Sequence, residues 1–141
     1  MRKLLVIIGV CAVATVGSSP VSFAGFDEGL ISYKRGDFKT AILEFRKSAT
    51  DGYRAAQFIL GQMYFQGRGV AQDKKTAFNW YRKAAVQEMP PAQYMLGVMY
   101  RDGLGTIQNS KEAVKWFGKA ASQGDVSSQY NLGVIDRKSV V

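Results

Sequence analysis

Two glycine pairs have the types and spacing that could bind a phosphate. Gly67 and Gly69, and again Gly103 and Gly105, lie in short loops whose backbone N–H groups could cradle such a group. A phosphate loop would follow a strand and would be followed by Lys-Ser or Lys-Thr, and neither feature is present. Each pair instead connects two helical patterns, so we predict helix-connecting loops and no bound nucleotide.

Catalytic and metal chemistry is restricted by composition. The 141 residues include no His and a single Cys, which excludes Ser-His, Cys-His and His-metal arrangements. Acidic residues such as Asp37, Asp51, Asp73 and Asp125 stand where helices are expected to begin or end, and capping accounts for them. We therefore predict no enzyme, no catalytic residue, no cofactor and no metal site.

The sequence repeats with a period of 36 residues, as Gln57, Gln93 and Gln129 illustrate. The elements of this repeat must position the loop glycines and the acidic residues described above. Such a period is typical of solenoids. Each unit carries two apolar helical stripes, which we call helix A and helix B, so we predict an all-α fold. The expected architecture is an α-solenoid of antiparallel helix pairs with about seven helices after the leader. We assign structural roles in the repeat to Leu60, Gly61, Tyr64, Gly67, Gly69, Trp80, Ala84, Leu96, Gly97, Tyr100, Gly103, Gly105, Trp116 and Ala120.

The period divides the chain into four parts between residues 25 and 135. Asp37, Asp73 and Asn109 are predicted to cap the successive B helices. The recurrence of Gly61 at positions 97 and 133 predicts close contact between helices. The parts are a degenerate first repeat at 25–52, complete repeats at 53–88 and 89–124, and a half repeat at 125–135.

Residues 136–141 match nothing in the repeat, because position 136 should carry Tyr and carries Asp. A short natural cap is one interpretation. We prefer a second, in which these six residues are the translation of a common sequencing-library adapter and the native protein continues. A genuine stop codon after Val141 in genomic DNA would contradict that interpretation.

The N-terminal residues 1–24 have the pattern of a secretory signal peptide. Arg2 and Lys3 precede an apolar run at 4–17, and small residues place the cleavage point after Ala24. The run is shorter than the roughly 20 residues that span a bilayer, so we predict no stable membrane span after cleavage. The predicted localisation is periplasmic or secreted.

Cleavage would remove Cys11 and would lower the formal net charge from +8 to +6. The remaining charge is spread over the helices, which is typical of solvated helix faces. No basic run of the mature chain is longer than two residues, so we predict no nucleic-acid partner.

The repeat resembles the Sel-one-like repeat, a relative of the tetratricopeptide repeat. The resemblance implies an α-solenoid that serves as a protein-interaction scaffold, with its A helices lining a concave face. The residues of the first complete copy that carry it are Ala56, Leu60, Gly61, Tyr64, Gly67, Gly69, Val70, Asp73, Ala77, Trp80, Tyr81, Ala84 and Ala85.

Residues at the consensus positions of the repeat are expected to pack inside the solenoid. The variable positions of the A helices are therefore the expected contact surface for a protein or peptide partner. Ile59, Phe65 and Met95 are expected to be exposed apolar groups near Arg101, although ordinary packing is the alternative interpretation for this helix face. The predicted partner-binding residues are Ile59, Gln62, Phe65, Met95, Val98, Arg101 and Asn131.

The sequence thus predicts an exported repeat scaffold that mediates protein–protein interaction in the bacterial cell envelope. Two alternatives remain open at this point. One is a secreted effector or virulence factor that binds a host protein. The other is an envelope protein that binds glycans or β-lactams, or hydrolyses them.

Signal cleavage is directly testable. After export from a Gram-negative host, we expect the mature protein to begin at Gly25, because small residues precede that bond. Intact mass and N-terminal sequencing measure this, and an Ala24→Arg variant should keep its leader. Exported wild-type protein that still begins at Met1 would contradict the prediction.

Overall fold

Seven α-helices and no strand make up the part of the chain that the structure, a computed structural model, describes, residues 21–139. Each helix packs mainly on the next, so antiparallel pairs stack in chain order. This arrangement confirms the predicted all-α solenoid. The helices are α1 (Val21–Lys34), α2 (Phe38–Thr50), α3 (Arg54–Gln66), α4 (Lys74–Ala85), α5 (Pro90–Asp102), α6 (Ser110–Ser122) and α7 (Val126–Ser139).

The odd-numbered helices are the A helices of the predicted pairs, and α2, α4 and α6 are the B helices. Most of the predicted signal peptide, residues 1–20, lies outside the described residues, and α1 begins at Val21. At the other end, α7 runs without interruption from the half repeat into the predicted tail and ends at Ser139. No helix within residues 21–139 combines the length and hydrophobicity needed to cross a membrane.

Side-chain caps fix where the B helices begin. Asp37, Asp73 and Asn109 each accept a hydrogen bond from the backbone N–H three residues on, at 3.1, 3.0 and 3.1 Å. These bonds satisfy donors that the first turn of a helix leaves open. A hydrogen bond from the side chain of Thr76 lowers the pKa of Asp73, so this cap stays ionised well into the acidic range. The predicted caps are confirmed.

A glycine beneath an aromatic ring joins the two helices of a pair. A Cβ atom at Gly61 would lie 2.7 Å from the ring of Tyr81, and one at Gly97 would lie 2.6 Å from the ring of Phe117. Both rings are almost completely buried. Gly29 meets the ring of Phe45 in the first pair in the same way. The glycines at positions 61 and 97 therefore allow the helices to approach closely, as the period predicted. At position 133 that prediction is wrong for the described residues, because a Cβ there would meet none of their atoms within 4 Å.

The glycine pairs of the connecting loops also make close contacts. Gly67 and Gly103 end α3 and α5 in the left-handed conformation, a common helix C-terminal geometry. Gly69 and Gly105 also have positive φ, and a Cβ atom on either would overlap the backbone of the preceding pair at Phe38 or Lys74. Each loop therefore packs on the start of the preceding B helix.

A glutamine, buried at positions 57 and 93 and exposed at position 129, links each A helix to the pair before it. Gln57, Gln93 and Gln129 each donate from Nε2 to the backbone carbonyl eight residues earlier, at 3.1, 3.2 and 3.3 Å. Gln87 and Gln123 donate in turn to the Oε1 atoms of Gln57 and Gln93, at 2.8 Å each. Each of these carbonyls, at the end of a B helix, also accepts from the backbone N–H three residues on, so the glutamine supplies a second donor that comes from the next helix.

The residues predicted to have structural roles in the repeat fall into three classes by exposure. The two tryptophans differ: Trp116 is buried, whereas Trp80 is half-buried under the Lys83 ammonium, 4.4 Å from the ring centroid. Leu60, Gly61, Ala84, Leu96, Gly97, Trp116 and Ala120 are buried; Tyr64, Trp80, Tyr100, Gly103 and Gly105 are half-buried; Gly67 and Gly69 are exposed.

Replacing the glycine under the ring tests this packing. Gly97→Ala should lower the free energy of unfolding, because overpacking costs about 1–3 kcal/mol and exceeds the gain of about 1 kcal/mol from removing a helical glycine. Gly118→Ala is the matched control, since a Cβ at Gly118 would meet no atom of the described residues within 4 Å. The control should raise stability in the same urea titration. Equal effects of the two substitutions would contradict the close contact.

The glutamine link gives a second test. Gln93→Met should lower the free energy of unfolding by about 1–3 kcal/mol, because two hydrogen bonds of about 0.5–1.5 kcal/mol each are lost, one to the carbonyl of Ala85 and one from the amide of Gln123. Gln129→Met should cost clearly less, since Gln129 is exposed and water replaces its hydrogen bond. Thermal and urea unfolding of both variants measure the difference. A smaller loss for Gln93→Met than for Gln129→Met would count against the link.

Candidate partner-binding surface

The predicted partner-binding residues occupy equivalent positions in successive A helices. All seven are half-buried, so each combines contact with the solenoid and access to solvent. We call this set the A-helix row. Its first position holds Ile59, Met95 and Asn131, its second holds Gln62 and Val98, and its third holds Phe65 and Arg101.

The apolar members of the A-helix row contribute to the core. Ile59 packs against the cluster formed by α2 and α3, and Phe65 and Met95 pack against the cluster formed by α4, α5 and α6. They are therefore less exposed than the sequence suggested. The reason is that an A helix inside the stack has neighbours on both sides, so positions beside the consensus stripe are also partly covered.

Arg101 is held in one position between α5 and α7. Its Nε and Nη2 atoms donate to the two carboxylate oxygens of Asp102, at 2.7 and 2.8 Å, and Nη1 donates to Oδ1 of Asn131. The hydrogen bonds from Arg101 lower the pKa of Asp102, so this pair remains charged at neutral pH. Asn131 is fixed in turn by donating to the carbonyl of Ser127 at 2.8 Å.

An open cavity of about 550 Å³ lies beside this network. It brings together Arg101 and Asn131 from the A-helix row and leaves Ile59, Gln62, Phe65, Met95 and Val98 outside its lining. The lining has charges of both signs and an apolar side, which suits a peptide segment with a polar and an apolar face. The lining residues are Arg101, Asp102, Gln108, Ser110, Asn131, Val134, Ile135 and Lys138.

Sequence reasoning missed four of the polar lining residues, Asp102, Gln108, Ser110 and Lys138. Asp102 could have been identified from the sequence, since it directly follows the predicted residue Arg101. Gln108 has a counterpart in the preceding repeat, Gln72. Gln72 donates to the carbonyl of Phe65 at 2.8 Å, and Gln108 donates to the carbonyl of Arg101 at 2.7 Å. Lys138 lies in the segment that the repeat pattern set apart as a tail.

The surface combines charged, polar and apolar side chains. Within residues 21–139, no three side chains of His, Cys, Asp or Glu come close enough together to hold a metal ion. The groups that line the cavity are hydrogen-bond donors and acceptors, two cations and one carboxylate, next to half-buried apolar side chains.

Comparison with known proteins identifies the repeat. The family model described as Sel1 repeat matches residues 54–87 and 90–125. A Sel1 repeat protein from Oxalobacter formigenes is 38% identical, with a TM-score of 0.73 over 79% of this chain and 87% of that chain. No curated protein sequence matches.

Two further solved structures are similar. One is described as a protective antigen present in uropathogenic Escherichia coli strains displaying an SLR fold; it is 41% identical, with a TM-score of 0.75 over 79% of this chain. This chain spans only 25% of that antigen. Cysteine-rich protein B of Helicobacter pylori is 20% identical, with a TM-score of 0.64 over 79% of this chain and 94% of that one, and it shares the fold. By its repeats and by these relatives, the chain belongs to the Sel1 repeat family.

Proposed function

We propose that this chain is an exported scaffold that binds a protein partner in the cell envelope of a Gram-negative bacterium. Sel1 repeats generally bind proteins, and the family generally serves as a non-catalytic interaction scaffold. Export is supported by the basic pair Arg2 and Lys3, the apolar run at 4–17 and the small residues up to Ala24.

The cavity beside Arg101 is the observation that carries this proposal. Three of the five N–H donors of the guanidinium are used by Asp102 and Asn131, which leaves two for a carbonyl or carboxylate of a partner. Because Arg101 is already held in place, binding costs little additional side-chain entropy. The half-buried apolar residues of the A-helix row supply adjoining area that a partner can cover.

A second candidate is a secreted factor that meets a host protein. It is favoured by the 41% identity to the protein described as a protective antigen of uropathogenic strains. Both candidates use the same binding surface and differ in where the protein acts. Cell fractionation separates them, because retention in the periplasm favours the envelope scaffold and appearance in the medium favours secretion.

A charge reversal at the cavity tests the binding surface. Asp102→Lys should reduce capture of envelope proteins by the immobilised chain at least several-fold, because it removes the carboxylate that orients Arg101 and places a second positive charge beside it. Asp102 is exposed, so the substitution should leave the fold intact. Quantitative mass spectrometry of cross-linked envelope extracts measures the loss.

Lys111→Glu is the matched control, because Lys111 is an exposed lysine of helix α6 outside the cavity lining. It should capture the same proteins as the wild type. Aspartate substitutions at Phe65 or Met95 would not be equivalent tests, since both residues pack against the core. Identical capture by the two charge-reversal variants would contradict a partner site at the cavity.

A further inference from the structure

Positive charge is concentrated on the B helices. Together, α2, α4 and α6 carry ten Lys and Arg residues against two Glu residues, and α4 carries no acidic residue. The caps Asp37, Asp51 and Asp73 raise the acidic number only to five. The four A helices carry five Lys and Arg residues against four acidic ones. Because the two kinds of helix alternate along the chain, the charge is spread over the sequence, and the stacking of the pairs collects it.

Lysine recurs at two equivalent positions of every B helix. The second position follows the first by eight residues, which is about 12 Å along the helix axis. Both positions lie on the side of the helix away from the buried stripe that packs on the A helices. Five of the six lysines are exposed and one, in α6, is half-buried. We call these two sets the lysine rows; they are Lys39, Lys75 and Lys111, and Lys47, Lys83 and Lys119.

Most of the charge of the lysine rows is not neutralised by ion pairs. The Nζ atom of Lys47 lies 2.7 Å from Oε1 of Glu44, and that of Lys119 lies 3.9 Å from Oε1 of Glu88. The other four lysines form no ion pair within residues 21–139. An array of unpaired cations on one face attracts anionic ligands.

Exposed apolar side chains lie among these cations. Leu43 is halfway between the two lysines of α2 and is 54% exposed, and Val86, directly after α4, is 61% exposed. Trp80 is half-buried beside them, with the Lys83 ammonium over its ring. Lysine and arginine around exposed apolar and tryptophan side chains are typical of surfaces that lie in the headgroup region of a bilayer.

We propose that the lysine rows bind the phosphate headgroups of anionic phospholipids, so that the chain lies on a bilayer surface through its B helices. The inference goes beyond the proposed function, because it concerns what holds the scaffold in place and not which protein it binds. A bilayer fits better than a linear polyanion, since the cations form two rows across three helices and the apolar side chains between them can enter the headgroup region. The A-helix row belongs to the other helices, so a protein partner and a bilayer can be bound together.

Binding of the exported chain to lipid vesicles tests the proposal. Vesicles of equal parts phosphatidylglycerol and phosphatidylcholine should bind the chain in a flotation assay, whereas vesicles of phosphatidylcholine alone should not, because the attraction depends on lipid charge. Added salt should weaken the binding, since it screens exposed charges. The chain is purified after removal of its leader, and intact mass verifies this, because the apolar run at 4–17 could bind lipid by itself.

Two double substitutions that remove the same charge give the decisive comparison. Lys75→Gln with Lys83→Gln should weaken binding to the phosphatidylglycerol vesicles by about tenfold or more, because each lysine near an anionic surface contributes roughly fivefold. Lys34→Gln with Arg35→Gln changes two exposed residues at the end of α1 and should alter binding by less than about twofold. Circular dichroism should show the same helix content for both variants. A role of the lysines in solubility alone would not separate the two pairs.

Trp80 reports contact with the bilayer. The chain has two tryptophans, and the other, Trp116, is buried. On the phosphatidylglycerol vesicles the tryptophan emission should shift to shorter wavelength, because the half-buried ring of Trp80 enters the headgroup region. Trp80→Phe should abolish the shift.

Several outcomes would overturn the inference. They are a wild-type chain that does not bind the phosphatidylglycerol vesicles, equal weakening by the two double variants, and vesicle binding without a shift in tryptophan emission. Binding to soluble dextran sulfate in place of vesicles would identify a linear polyanion as the ligand. If vesicle binding fails while Asp102→Lys still reduces protein capture, only this inference falls and the proposed function stands.

Discussion

The contact between a glycine of helix A and an aromatic ring of helix B is the constraint on which this solenoid depends. Gly29, Gly61 and Gly97 leave no room for a Cβ atom, because the rings of Phe45, Tyr81 and Phe117 occupy that space. Glycine in a helix is intrinsically unfavourable, so its presence here has to be offset by the packing that it permits. The burial of the rings and of the flanking alanines is that packing.

Once a pair is formed, polar contacts fix its position relative to the next pair. The glutamine of each A helix bonds to the end of the preceding B helix, and the second loop glycine of each complete repeat packs on the start of that helix. Both contacts involve backbone atoms, so they tolerate different side chains at other positions. Variable positions such as Met95 and Arg101 can therefore differ between repeats without disturbing the stack.

The surface that we propose for partner binding follows from this freedom of the variable positions. Equivalent positions of the A-helix row hold Ile59, Met95 and Asn131, so the row changes from apolar to polar along the stack. At its polar end, Asn131 and Asp102 orient Arg101 beside the cavity. A scaffold of this kind can present a specific site because the consensus residues hold the backbone rigid beneath it.

The sequence by itself determined the all-α repeat, the caps Asp37, Asp73 and Asn109, and the close approach of helices at Gly61 and Gly97. These features are local or periodic, so a single chain pattern records them. Only the tertiary structure decided that Phe65 and Met95 are half-buried and that Arg101 meets Asn131 thirty residues away. Only the tertiary structure showed that Lys138 lines the cavity and that, within residues 21–139, no ring packs on Gly133. The physical reason is that burial depends on which neighbouring helix covers a residue, and that neighbour is distant in the sequence.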